Sequence, residues 1–166
     1  MIIKEEQLDG RFSVLNKVVY ASGSFDLTHI GHVLFLEDCK KIGDILVVGV
    51  GNDKNGERYK RKPIMNQDIR LNMIDSLKCV DYTFIIGDGE ESEEPSVRGL
   101  KKILQLLKPT FWVINEDALS IDKRKKLIEE LGLTGKTKLI IMDRWCPKEF
   151  NNISTTKLIE QIKNGN

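Results

Sequence analysis

Short runs of β-branched and aliphatic residues alternate along this chain with segments of helical periodicity, and this alternation restricts the possible folds most strongly. The pattern predicts strands at 18–22, 44–49, 82–86, 110–114 and 138–142. It predicts helices at about 33–43, 66–78, 100–108 and 121–131, and a closing helix that carries Ile159 and Ile162. Strands joined by helices of this length form a parallel sheet covered on both faces, so we expect an α/β, Rossmann-like, doubly wound fold.

The alternation continues without an internal repeat, a low-complexity segment or a linker, so residues 1–166 are predicted to form one domain with its core at about 18–163. Asn66 is the predicted N-cap of the helix that follows the second strand. The predicted inner face of that helix consists of Ile69, Met73, Ile74 and Leu77.

Composition and charge argue against several kinds of partner. The 26 Lys and Arg residues balance 25 Asp and Glu residues, so nothing attracts the chain generally to nucleic acid or to an anionic membrane. Cys39, Cys79 and Cys146 form no CxxC pair, which favours buried free thiols in a reducing cytoplasm. The N-terminal residues do not resemble a signal peptide, and no apolar run approaches ~18 residues. We therefore expect a cytoplasmic protein that binds neither nucleic acid nor membranes.

The segment Gly23–His32 (GSFDLTHIGH) follows the first strand and leads into the first helix. Ligands of open α/β sheets bind at the carboxyl ends of strands, and a helix start offers free N–H groups and a positive dipole to phosphate. Gly23 and Gly31 allow a tight turn and a close approach to a ligand. His29 and His32 are the only 2 histidines of the chain, and their spacing lets both face the same anion.

Other interpretations of this segment have less support. A zinc site would need further His or Cys ligands, and none is nearby in the sequence; the histidines could also be incidental surface residues. A dinucleotide site would need the GxGxxG pattern, which is absent after the first strand, and Gly49–Gly51 after the second is weak evidence alone. The acidic run 90–94 is expected to be a solvated loop rather than a metal site, because no converging ligands accompany it.

A second anion site is predicted where Asn152–Lys157 (NISTTK) enters the last helix. Ser154 is the expected cap of that helix, and the hydroxyls of Thr155 and Thr156 stand beside its free N–H groups. Together with the histidine turn, these residues would form the two sides of a triphosphate clamp.

In this combination the two segments resemble the cytidylyltransferase-like nucleotidyltransferase family, especially its heptose-phosphate adenylyltransferases and glycerol-phosphate cytidylyltransferases. The resemblance runs from about Val18 to Ile162, and residues 61–64 favour ATP slightly over CTP. It implies a nucleotidyltransferase domain that transfers a nucleoside monophosphate from ATP or CTP to a sugar or alditol phosphate and releases pyrophosphate. It further implies Mg²⁺ with the NTP, and a homodimer. A non-catalytic nucleotide-binding regulatory protein of the same fold is the alternative.

The resemblance also implies roles for individual residues. The implied catalytic residues are His29, His32, Lys62 and Arg144. The implied nucleotide-binding residues are Ser22, Gly23, Ser24, Phe25, Asp26, Gly31, Arg70, Ser154, Thr155 and Thr156. The implied acceptor-binding residues are Lys60, Asn115, Glu116 and Asp117. Residues 115–117 differ from the glycine-rich sequence of relatives and carry two carboxylates, so we expect an acceptor with one phosphate and a hydroxyl-rich or cationic remainder.

Overall fold

Each of the predicted β-branched runs forms a strand of one parallel sheet. The computed structural model of the protein describes residues 1–13, 15–54, 62–89, 97, 99–116, 118, 120–143, 147–150 and 153–165. The strands are β1 (Val18–Gly23), β2 (Ile45–Gly51), β3 (Tyr82–Ile86), β4 (Phe111–Asn115) and β5 (Lys138–Met142). The α-helices are α1 (Ile30–Lys41), α2 (Gln67–Asp75), α3 (Leu100–Leu107), α4 (Ile121–Glu130) and α5 (Thr155–Asn164), with 3-10 helices at Glu5–Leu8 and Lys148–Phe150.

The strand order is β3-β2-β1-β4-β5, and every neighbouring pair is parallel. The chain builds outward from β1 to β3, then returns to the other side of β1 to place β4 and β5. Ala21 lies opposite both Val48 of β2 and Val113 of β4. The direction of winding therefore reverses between β1 and β4, where ligands bind in sheets of this kind. The predicted α/β, doubly wound Rossmann-like fold is confirmed.

The core has two parts, one on each face of the sheet, because successive side chains of a strand point to opposite faces. Tyr20 and Trp112 belong to one hydrophobic cluster, whereas Val19 and Val113 belong to the other. All four are fully buried. Burial on both faces explains why these strands read as nearly continuous apolar runs in the sequence.

Gly49 makes room for an aromatic side chain in the middle of the sheet. A Cβ atom there would lie 2.9 Å from the Tyr20 hydroxyl oxygen. The Tyr20 ring stacks on Phe84 at 6.3 Å between centroids and packs beside Trp112 at 6.4 Å. Burial raises the pKa of the Tyr20 hydroxyl. The glycine at position 49 is therefore explained by packing rather than by a dinucleotide.

Helix α2 begins as predicted but buries a different face. The Asn66 side chain accepts a hydrogen bond from the Ile69 N–H at 2.9 Å, which confirms the predicted cap. The predicted inward positions of Ile69 and Met73 are wrong, since these residues are 48% and 38% exposed. The buried residues of this helix are Arg70, Leu71 and Ile74. Hydrophobic periodicity predicted the wrong inner face because Arg70 is buried, whereas a hydrophobic pattern assigns an arginine to the solvent-facing side.

Two of the three cysteines lie in the described part of the chain, and both are free thiols. Cys39 is fully buried and Cys79 half-buried, and burial raises the pKa of both thiols. Cys146 and the acidic run 90–94 lie outside the described residues. Within the described ranges, no helix is both long enough and apolar enough to span a membrane.

Candidate active site

A cavity of about 570 Å³ lies at the carboxyl ends of β1 and β4. Its lining residues are Ser22, Gly23, Ser24, Phe25, Asp26, His32, Phe35, Pro63, Asn115, Thr155, Thr156, Ile159, Glu160 and Lys163. The cavity thus joins the turn after β1, the first turn of α1, the end of β4 and one face of α5. The two segments predicted as sides of a clamp are more than a hundred residues apart in the chain, and the sheet topology brings them together.

The two histidines differ in their relation to this cavity. His32 is a lining residue, whereas His29 lies at the N-cap of α1 behind it. The rings stack with 3.9 Å between centroids and 24° between planes. The His29 backbone N–H donates to Nδ1 of His32 at 3.3 Å, so a neutral His32 imidazole carries its proton on Nε2. That Nε2–H is a suitable donor to a phosphate oxygen.

The two glycines of the turn leave room for neighbouring rings. A Cβ atom at position 31 would lie 3.1 Å from Cε1 and Nδ1 of His29. A Cβ atom at position 23 would lie 3.1 Å from Cζ of Phe25. The Phe25 ring in turn meets the edge of His32 at 5.5 Å. The glycines therefore allow the histidine and phenylalanine rings to pack against the turn.

Asp26 lies in the turn after β1, between two non-glycine residues with unfavourable backbone conformations. Its neighbours Phe25 and Leu27 adopt left-handed backbone conformations, with φ of 53° and 47°. Asp26 is 3% exposed, and its two carboxylate oxygens accept hydrogen bonds from the N–H groups of Ile64 at 3.0 Å and Met65 at 2.9 Å. The carboxylate is thus directed at protein backbone, although the residue lines the cavity.

Arg70 binds the backbone of the turn and is not among the residues that line the cavity. Its side chain is fully buried. The guanidinium donates from Nε to the Met65 carbonyl at 2.9 Å, from one terminal nitrogen to the Ser24 carbonyl, and from the other to the Asp53 carboxylate at 2.6 Å. These contacts link Arg70 to the turn and to the segment before α2; a role of Arg70 in organising the site or binding a nucleotide remains a prediction.

The N-terminus of α5 forms another wall of the cavity. Ser154 accepts a hydrogen bond from the Lys157 N–H at 3.2 Å, which confirms it as the cap. The Thr155 hydroxyl donates to the Asp26 carbonyl at 2.9 Å, and the exposed Thr156 also lines the cavity. A helix N-terminus has unsatisfied N–H groups and a partial positive charge, so this wall suits an anion.

The predicted acceptor residues are only partly brought to the cavity. Asn115, the last residue of β4, lines it. Glu116 is exposed, is not among the lining residues, and donates its backbone N–H to the Met142 carbonyl at 2.9 Å. Lys62 is exposed beside the lining residue Pro63. Three further predicted residues, Lys60, Asp117 and Arg144, lie outside the described residues.

Several lining residues had not been predicted from the sequence: Phe35, Pro63, Ile159, Glu160 and Lys163. Those on α5 could have been found from helical spacing. Counting from Thr156, positions 159, 160 and 163 fall on the same face of a helix. The cavity therefore has an apolar part and a charged rim in addition to its hydroxyl groups.

Comparisons with known proteins identify a family and several relatives of this chain. A family model described as cytidylyltransferase-like matches residues 20–161. The FAD synthase of Aciduliprofundum boonei is 37% identical over 145 residues, which cover 87% of this chain and 89% of that protein. The bifunctional protein HldE of Helicobacter pylori is 35% identical over 150 residues, covering 89% of this chain but only 28% of that longer protein. A solved lipopolysaccharide core biosynthesis protein from Thermoplasma volcanium superposes with a TM-score of 0.64 at 28% identity, covering 79% of this chain and 99% of that one.

Proposed function

We propose that this chain, which belongs to the cytidylyltransferase-like family and is a nucleotidyltransferase, transfers a nucleoside monophosphate from ATP or CTP to a phosphorylated small metabolite. The observation that carries the proposal is the cavity between β1 and β4, with the histidine turn on one side and the N-terminus of α5 on the other. Similarity to FAD synthase over nearly the full length of both chains favours ATP as the donor.

In the proposed reaction, an oxygen of the acceptor phosphate attacks the α-phosphorus of the NTP. The bond from that phosphorus to the α–β bridging oxygen breaks, and pyrophosphate leaves with the electron pair. The attacking oxygen is already anionic near pH 7, so the reaction needs alignment and charge neutralisation rather than a strong base. Nε2–H of His32 and the N–H groups at the start of α5 are proposed to neutralise phosphate charge, because His32 and the first residues of α5 line the same cavity. Lys62 and Arg144 are proposed to assist.

Mg²⁺ is proposed to enter as part of the nucleotide substrate. Among the described residues, no group of three or more His, Cys, Asp and Glu side chains could hold a metal ion. The carboxylate of Asp26, a residue that lines the cavity, accepts hydrogen bonds from two backbone N–H groups. The hydroxyl groups and the Asn115 amide among the lining residues are compatible with a magnesium ion that is held mainly by phosphate oxygens and water.

The acceptor is proposed to carry one phosphate and a hydroxyl-rich remainder. FAD consists of FMN joined through its phosphate to AMP, so the similarity to FAD synthase makes FMN, with its ribityl hydroxyls, a specific candidate. Phe35, Pro63 and Ile159 offer apolar surface to a planar ring, and Asn115 offers hydrogen bonds. Sugar and alditol phosphates are the second class of acceptor to be tested.

Mass spectrometry of the reaction products tests this proposal. The protein is incubated with ATP or CTP, Mg²⁺, and FMN, a heptose phosphate or glycerol phosphate in turn. We expect a product whose mass equals that of the acceptor plus the nucleoside monophosphate minus water. Absence of such a product from every combination would favour the alternative, a regulatory protein that binds nucleotides without turnover.

A further inference from the structure

We infer that Asp26 is a positioning residue that fixes two walls of the cavity through its hydrogen bonds. The first wall is the segment 62–65, and the second is the N-terminus of α5. The inference rests on the proposed function for its catalytic consequence and on the contacts of Asp26 for its structural part. It differs from the role suggested by the sequence, in which Asp26 binds the nucleotide directly.

The first wall depends on the Asp26 carboxylate. Its Oδ2 accepts from the Ile64 N–H at 3.0 Å, and its Oδ1 accepts from the Met65 N–H at 2.9 Å. Hydrogen bonds to an ionised acceptor are stronger than neutral ones, and this acceptor is 3% exposed. The residues just before this anchor are Lys62 and Pro63, a predicted catalytic residue and a lining residue.

A second attachment comes from Arg70, whose Nε donates to the Met65 carbonyl at 2.9 Å. The same guanidinium donates to the carbonyl of Ser24, two residues before Asp26. The Met65 N–H is therefore bound by Asp26 of the turn. The Met65 carbonyl is bound by Arg70, which also binds the Ser24 carbonyl in the turn. This arrangement fixes residues 62–65 relative to β1 even though 39 positions separate Asp26 from Met65.

The second wall depends on the Asp26 backbone carbonyl, which accepts from the Thr155 hydroxyl at 2.9 Å across 129 positions of sequence. Thr155 is the first residue of α5, and it lines the cavity together with Thr156. Left-handed φ angles at Phe25 and Leu27, on either side of Asp26, are unfavourable for non-glycine residues and persist only where surrounding contacts fix them. The hydrogen bonds that Asp26 accepts from Ile64, Met65 and Thr155 are among such contacts.

The test combines amide hydrogen exchange with kinetics on Asp26→Asn. An asparagine keeps one oxygen acceptor but turns an NH₂ group towards a backbone N–H, so one of the two bonds is lost. We expect exchange at Ile64 and Met65 to rise about tenfold or more while core amides such as that of Val48 stay protected. We also expect kcat to fall and KM for the acceptor to rise more than KM for the nucleotide.

Thr155→Val is the matched variant, because it removes only the contact to the second wall. It should leave exchange at Ile64 and Met65 unchanged and raise KM for the nucleotide more than KM for the acceptor. A purely structural role for Asp26 would reduce the amount of active enzyme and move neither KM. If Asp26→Asn does not fold, Asp26→Glu keeps the charge but displaces both oxygens, and the same local rise in exchange is expected.

Unchanged exchange at Ile64 and Met65 in folded Asp26→Asn would overturn the inference, and so would raised exchange with both KM values unaltered. Exchange is measured without substrates, so it decides the structural part of the inference even if the wild-type protein has no turnover. Absence of wild-type turnover, by contrast, counts against the proposed function alone.

Discussion

The ring of His29 fills the space beside Gly31 that any other residue's side chain would enter. This places His29 behind His32, with the rings 3.9 Å apart, and its backbone N–H fixes the tautomer of His32. At the level of single residues, we therefore propose that His32 donates to a phosphate and that His29 orients it.

The first prediction follows from this pair. Replacing His32 with Ala should lower kcat by about 10²–10³, the usual cost of one preorganised transition-state donor. His29→Ala should also lose most turnover, because it removes the ring that packs against His32. His32→Gln, which can place an N–H near the position of Nε2, should recover part of the loss. Circular dichroism checks that each variant folds, and near-normal kcat in both alanine variants would contradict these roles.

Among the elements, strands and caps were predictable from the sequence, but the face of α2 was not. The strands are runs of β-branched and aliphatic residues, and β1 to β4 contain buried residues. Asn66 and Ser154 cap their helices through local hydrogen bonds. The buried guanidinium of Arg70 donates hydrogen bonds to acceptors from distant segments, Ser24 and Asp53. No local pattern encodes such acceptors, so hydrophobic periodicity alone could not place this helix correctly.

The second prediction concerns the N-terminus of α5. If its N–H groups and the hydroxyls of Thr155 and Thr156 bind the outer phosphates, ATP should bind much more tightly than ADP, and CTP more tightly than CDP. Calorimetric titration measures both pairs. Ser154→Ala should lower helix stability by about 1 kcal/mol and reduce the preference for the triphosphate. Equal affinities for tri- and diphosphate would place these residues outside the phosphate site.

The third prediction concerns the end of β4. Asn115 lines the cavity at the carboxyl end of this strand, so Asn115→Ala should raise KM for the acceptor while KM for the nucleotide stays nearly constant. Adding Glu116→Ala tests the wider expectation from the sequence that both residues face the acceptor. Steady-state kinetics with each substrate varied in turn gives the answer. If only KM for the nucleotide changes, this strand end recognises the base or ribose instead.

At the scale of the whole molecule, the topology explains which parts of the site could be foreseen. The turn after β1 and the start of α5 carry recognisable anion-binding features, so their residues were predictable one segment at a time. Their meeting at one cavity follows from the strand order, which reverses between β1 and β4. Phe35 lies three positions after His32 on α1, so helical spacing could have indicated it. Pro63 lines the cavity through the packing of a separate segment, and nothing in the local sequence indicates this.

The fourth prediction is a homodimer, which is expected from the family resemblance. Multi-angle light scattering at micromolar protein concentration should give twice the chain mass of 19.0 kDa. The measurement is repeated at higher salt, because an association that depends on surface charge weakens there. A monomeric mass at both salt concentrations would contradict the expectation without affecting the proposed reaction.

Pyrophosphate release is the most direct test of the proposal that the cavity between β1 and β4 catalyses nucleotidyl transfer. Wild-type protein is assayed with Mg²⁺ and ATP or CTP, with and without a phosphorylated acceptor, and His32→Ala is assayed in parallel. We predict pyrophosphate release only when nucleotide and acceptor are both present, in equal amount to the joined product, and a loss of about 10²–10³ in rate for His32→Ala. Nucleotide binding without pyrophosphate release for any acceptor, or an unchanged rate in His32→Ala, would contradict it.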